Sequence, residues 1–127
     1  MEILASRVLL RPADYQRSLT FYRDAIGLAI AREYGVGTVF YAGQSLIELA
    51  GHGGQVEPGH FPGALWLQVR DVYETQTELE SRSVPIAREA KPEPWGLHEL
   101  HVTDPDGVTL IFVQVPEAHP LRRDSRG

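Results

Sequence analysis

The alternation of apolar and polar positions divides the chain into two similar halves. An apolar run over residues 5–11, containing Val8, Leu9 and Leu10, predicts a strand that Pro12 ends. Asp14 follows as a helix cap, because a carboxylate there accepts from a backbone N–H two or three residues on. Tyr15, Leu19, Tyr22 and Ile26 recur at helical spacing, and Gly27 supplies the left-handed residue that closes such a helix. Strands are predicted over 28–34, 38–41 and 46–50, separated by Gly35 and Gly37 and then by Gly43.

The stretch 51–60 reads as a linker, since its glycines and Pro58 deny it regular structure. After it the order restarts. Residues 65–69 predict a strand, and Asp71 caps a second helix with Glu74 as its capping-box partner. Pro85 stops that helix before Val84. Strands are predicted over 86–89, 97–103 and 108–115, the last two joined by an Asp104-Pro105-Asp106-Gly107 turn. The tail from Pro116, with Arg122, Arg123 and Arg126, is expected to be disordered or surface-bound.

Each half therefore reads strand, helix, three strands, and the fold class is α+β. The expectation is one domain, with modules over 3–50 and 63–115, a linker over 51–62 and a tail over 116–127. Each sheet would have one face covered by its helix. The two free faces would together line a concave cup in a curled mixed sheet, a place for a small molecule.

Composition narrows the chemistry. The chain has 127 residues, 43% of them apolar, which suits one core. It has no Cys, which excludes disulfides, thiolate metal sites and cysteine nucleophiles. A net charge of −5 argues against a nucleic-acid partner. No apolar run is long enough to span a membrane. Met1-Glu2-Ile3-Leu4 lacks the layout of a signal peptide, so a cytoplasmic location is expected.

Three segments carry a resemblance. The segment 8–28, with Arg17-Ser18 and Phe21-Tyr22 in its helix, is similar to the first strand and helix of the vicinal oxygen chelate superfamily. That superfamily includes glyoxalases, bleomycin-resistance proteins and extradiol dioxygenases. The segment 64–72 resembles its fifth strand and second helix start. Pro94-Trp95-Gly96 and the Asp104–Gly107 turn resemble its later loops. The fold so implied hosts many activities.

Metal-dependent members place His and carboxylate ligands at four strand positions. The resemblance puts Arg7, Glu48, Ala64 and Ile111 there, so one ligand position of four is retained. A catalytic divalent ion takes about three protein ligands and an open position. No cofactor is therefore expected, with a divalent metal as the alternative. Arg7 is expected to pair with Glu48, its guanidinium standing where metal charge would be; the other possibility is that Glu48 points to solvent.

His52, His60 and His119 are expected to be solvated. Strand alternation sets His101 and Glu99 on one face and His98 on the other, which argues against a metal site shared by His98, His101 and Glu48. By the resemblance, the Glu99/His101 face is the cup face. His101 is then either a general acid/base tuned by Glu99 or Glu48, or a residue that orients a ligand. Trp66 and Phe40 are expected on the same wall, and Trp95 either at the ligand groove or in the core. Asp14, Arg17, Asp104 and Asp106 read as structural.

The resemblance implies a metal-independent small-molecule-binding protein. Its ligand would be an antibiotic or another aromatic or cationic compound, held by Arg7, Phe40, Glu48, Trp66, Trp95, Glu99, His101 and Ile111. It also implies a homodimer with cups at the interface. The alternative is a glyoxalase- or dioxygenase-like lyase, isomerase or oxygenase, with a non-standard metal site or acid–base work by His101 and Glu48. A structural module with an occluded cup is a third reading.

Overall fold

The computed structural model describes residues 1–52 and 61–121. The expectations for His60, for most of the linker and for Arg122, Arg123 and Arg126 lie outside the described residues. The chain forms two compact units. One holds residues 1–62 together with 104–107; the other holds 63–103 and 108–127.

In the first unit, β1 (Val8–Leu10) leads to α1 (Tyr15–Thr20), which continues as a π-helical turn over Phe21–Ile26. Asp14 caps α1 by accepting from the Arg17 N–H at 3.1 Å. Gly27 ends the helical stretch at φ 84°. Three strands follow: β2 (Ile30–Tyr34), β3 (Gly37–Ala42) and β4 (Ser45–Ala50). Their order across the sheet is β1-β4-β3-β2, with β1 parallel to β4 and the rest antiparallel.

The second unit repeats this plan. It runs β5 (Ala64–Gln68), α2 (Val72–Ser81), β6 (Arg88–Pro92), β7 (His98–Thr103) and β8 (Thr109–Gln114), in sheet order β5-β8-β7-β6. The α+β class and the two βαβββ modules are as expected, and each module carries its own four-stranded mixed sheet.

Register fixes which face of each sheet meets its helix. In the first unit Phe40 pairs with Ile47 and Thr38 with Leu49, while Tyr22 packs on Phe40 with ring centroids 6.2 Å apart and Tyr15 bonds Thr38 at 2.6 Å. Leu10, Leu19 and Tyr22 complete that buried layer. In the second, Leu65, Leu100, Val102, Leu110 and Phe112 share the face toward Val72 and Leu79, and the Gln114 side chain accepts from the Val72 N–H. Burying these side chains is the main stabilising term, about 1.5–3 kcal/mol for each large one.

Several boundaries differ from the sequence expectation. β1 is shorter than 5–11, and β6 lies C-terminal to 86–89 because the Ala87 N–H bonds the His101 carbonyl and a bulge between Arg88 and Lys91 carries the pairing on to Pro92. The Asp71 carboxylate accepts from the Tyr73 and Glu74 N–H groups, but Glu74 makes no bond back among the described residues, so the cap is half of the expected box. The Asp104–Gly107 turn closes by a Gly107 N–H to Asp104 carbonyl bond of 3.0 Å. Among the described residues no helix is long and apolar enough to cross a membrane.

Candidate functional site

The first polar group forms on the sheet face away from α1. Glu48 on β4 pairs in register with Leu9 of β1 and Val39 of β3. Arg7, two residues before Leu9, points to the same face, and its guanidinium donates to Glu48 Oε1 at 2.9 Å. The expected Arg7–Glu48 pair therefore forms. The other oxygen, Oε2, accepts from the Tyr34 hydroxyl. Tyr34 reaches Glu48 because Gly37 lies opposite it and has no side chain; a Cβ at Gly37 would collide with the tyrosine ring.

The group extends around the Tyr34 ring. The Arg32 guanidinium lies 5.2 Å from its centroid, and the His52 ring 6.0 Å. His52 is exposed, as expected, yet it borders this group. The Tyr34 bond, and after it the Arg7 bond, hold the Glu48 carboxyl below its usual range. The same bond raises Tyr34. Glu48 is thus a fixed anion, 9% exposed, with both oxygens engaged. A cavity of about 350 Å³ opens between α1 and the β2–β3 hairpin, with Tyr15, Glu33, Tyr34 and Thr38 in its wall.

The second group forms on the face of the other sheet away from α2. Register aligns Trp66 of β5, Ile111 of β8, His101 of β7 and Arg88 of β6 in one row across the strands. Glu99 and Val113 lie in the next row. Glu99 Oε2 accepts from the Trp95 indole N–H at 2.9 Å, and Oε1 lies 3.3 Å from His101 Nε2. Ile111 packs on a small buried cluster of Leu97, Val113 and Val115. Trp66 and Trp95 remain 49% and 58% exposed, unusually large apolar surface for a sheet face and its loop. His98 points to the other face, where its Nδ1 bonds the Tyr73 hydroxyl at 2.7 Å, as alternation predicts.

Phe40 is corrected. It is fully buried on the α1 side of its sheet, packed on Tyr22, and lines no open face. Its pairing with Ile47 rather than Glu48 sets it there. His119 is corrected too: it is not a free tail residue, since its Nε2 lies 3.3 Å from the Trp95 carbonyl. Tyr34 and Arg32 escaped the sequence reading. Their signal was Gly37, whose missing side chain marks a ring lying across the hairpin.

Asp104 and Asp106 are turn residues, as expected, and also anchors within the first unit. Asp104 Oδ2 accepts from the buried Tyr22 hydroxyl at 2.7 Å, and Asp106 accepts from the Ala13 N–H and the Ser18 hydroxyl. Burial and the neighbouring Asp104 charge push the Tyr22 hydroxyl far up. Arg17 donates to the Pro105 carbonyl at 2.7 Å, a structural role as expected.

The donors do not fit the divalent ion found in metal-dependent relatives of this fold. No group of three His, Asp or Glu side chains able to hold an ion occurs among the described residues. Glu48 has both oxygens committed, one to a cation, and Ala64 and Ile111 offer no ligand atoms.

Paired βαβββ modules with polar side chains gathered on the faces away from their helices define an α+β protein of the glyoxalase type. The chain belongs to the Glyoxalase/Bleomycin resistance protein/Dioxygenase superfamily, whose family model matches residues 5–112. It is 30% identical over 123 residues to a probable lactoylglutathione lyase of Vibrio parahaemolyticus, covering 87% of this chain and 89% of that one. It is 32% identical over 127 residues to the lactoylglutathione lyase of Haemophilus influenzae, covering 90% and 93%. Among solved structures, the fold matches a glyoxalase/bleomycin resistance protein/dioxygenase from Nocardioides with a TM-score of 0.75 at 13% identity, covering 94% of this chain and 89% of that one. It also matches a lactoylglutathione lyase from Agrobacterium tumefaciens at 0.69 and 19%, covering 90% and 96%.

Proposed function

We propose that the chain is a metal-independent small-molecule-binding member of its superfamily, taking a flat aromatic or cationic compound, antibiotics among them. The observation that carries this reading is the Arg7–Glu48 bond: a guanidinium holds the one carboxylate that the family's ligand pattern retains. The ligand class follows from the second unit. Neighbouring strands lie about 4.8 Å apart, so Trp66 and His101 are separated by about 10 Å across Ile111. A flat ring system laid along that row meets an exposed indole at one end, an aliphatic floor between, and an imidazole at the other.

Catalysis by Glu48 is disfavoured by the same geometry. A carboxylate with a lowered pKa and two occupied oxygens is a weak proton acceptor at neutral pH. His101 is the polar handle of the second unit's face.

A glyoxalase-type lyase is the second reading, favoured by relatives at about 30% identity that bear that name. Metal content and turnover separate the two. Protein purified without chelator, then incubated with zinc, nickel or manganese and desalted, is expected to retain far less than one equivalent. Formation or cleavage of lactoylglutathione is expected to stay at background with or without those ions. Stoichiometric metal together with metal-dependent turnover makes the lyase reading the correct one.

A further inference from the structure

The short stretch after β8 is tied to the Glu99–His101 pair by a run of contacts within the second unit. His119 Nδ1 accepts from the Leu121 N–H at 3.2 Å, so the neutral ring carries its proton on Nε2, which donates to the Trp95 carbonyl at 3.3 Å. The ring is seated on Gly96, where a Cβ would lie 3.1 Å from His119 Cδ2. The Trp95 indole N–H donates to Glu99 Oε2 at 2.9 Å. Glu99 is 7% exposed, and its other oxygen faces His101 Nε2.

An ionised carboxylate only accepts, so Glu99 places the His101 proton on Nε2 and leaves the lone pair on Nδ1. The indole that holds Glu99 from the other side is itself mostly exposed. Packing alone does not fix so open a side chain; its loop is held by the Gly96 N–H bond to the Glu93 carbonyl and by His119. The charged groups around the pair are Arg88, in register with His101, and Lys91, in register with Glu99. Arg88 is already engaged by the Glu93 carboxylate and the Glu99 carbonyl.

The geometry points to His119 as a positioning residue that sets Trp95 and, through Glu99, the orientation and tautomer of His101. This rests on reading that sheet face as the ligand site, but its test needs no ligand. The full chain has two tryptophans, so the W66F variant assigns the Trp95 indole signal in an NMR spectrum. In H119A the Trp95 indole N–H is expected to exchange about tenfold faster, the scale of one weakened hydrogen bond. The imidazole nitrogen shifts of His101 are expected to move from one tautomer toward a mixture. H119Q, whose amide N–H donates to the same carbonyl, is expected to restore both. Unchanged indole exchange and His101 shifts in a folded H119A overturn the inference, and so does an H119Q that behaves like H119A. Stoichiometric metal in the binding test above defeats the proposed function and leaves these outcomes unaltered, so the two fail separately.

Discussion

Both oxygens of Glu48 are occupied, and that decides how this residue behaves as the solution is acidified. Its carboxyl titrates lower in the folded chain than its ordinary value of 4.5, chiefly through the Tyr34 hydroxyl and then through Arg7. Stabilisation from these bonds is therefore complete above the ordinary value and is lost as the pH falls through the folded one. Y34F removes the larger contribution and keeps the ring over Gly37. The wild type is expected to melt higher than Y34F at neutral pH, with the gap closing as the pH is lowered from neutral to below the ordinary value of 4.5. A gap that is constant across that range, in thermal melts by circular dichroism, disproves the assignment. Arg7 was legible in the sequence through the family resemblance, which set it and Glu48 at two of the ligand places on one face. Tyr34 was not, for a reason that belongs to its strand.

β2 carries a bulge: Ile30 pairs with Phe40, but Arg32 already pairs with Val39. The extra residue reverses the phase of the strand, so that Arg32 and Tyr34 share the face of Glu48 rather than that of Phe40. A strict period of two carries Tyr34 to the helix side, and no residue type in 30–34 announces the shift. β6 has a bulge of the same kind, which carries its pairing beyond the position its apolar pattern predicts. Helix caps were more legible, since Asp14 and Asp71 act through their immediate neighbours. The Tyr22–Asp104 bond was hidden, because it joins residues far apart in sequence and neither belongs to a motif that names the other. Y22F deletes a donor to a buried carboxylate and is expected to cost about 1–3 kcal/mol, read from the urea midpoint. A change within error shows that Asp104 is satisfied without it.

At the scale of the molecule, the doubled pattern of strand, helix and three strands was plain, because it depends on spacing, caps and turns spread over the whole chain. The division into compact units was not. The first unit takes residues 104–107 from the turn between two strands of the second. Those residues supply acceptors to Ala13, Ser18 and Tyr22, as well as the carbonyl bound by Arg17. A fragment of residues 1–62 lacks all of them. It is expected to show no cooperative thermal transition by circular dichroism under conditions where the full chain does; a sharp transition in the fragment contradicts this.

The same discontinuity sets a clock on synthesis. Domains generally fold as they emerge, at about 5–20 residues per second, so about 2–8 s pass between residue 62 and residue 104 leaving the ribosome. Throughout that interval residues 1–62 are made, but Asp104 and Asp106, which their helix and Tyr22 bond in the finished unit, are not. The nascent half must wait, its apolar residues uncovered and the Tyr22 hydroxyl without its carboxylate, until the turn is made. Defects in this four-residue turn would then surface as lost yield in the cell, well before they surface as lost binding in the purified protein.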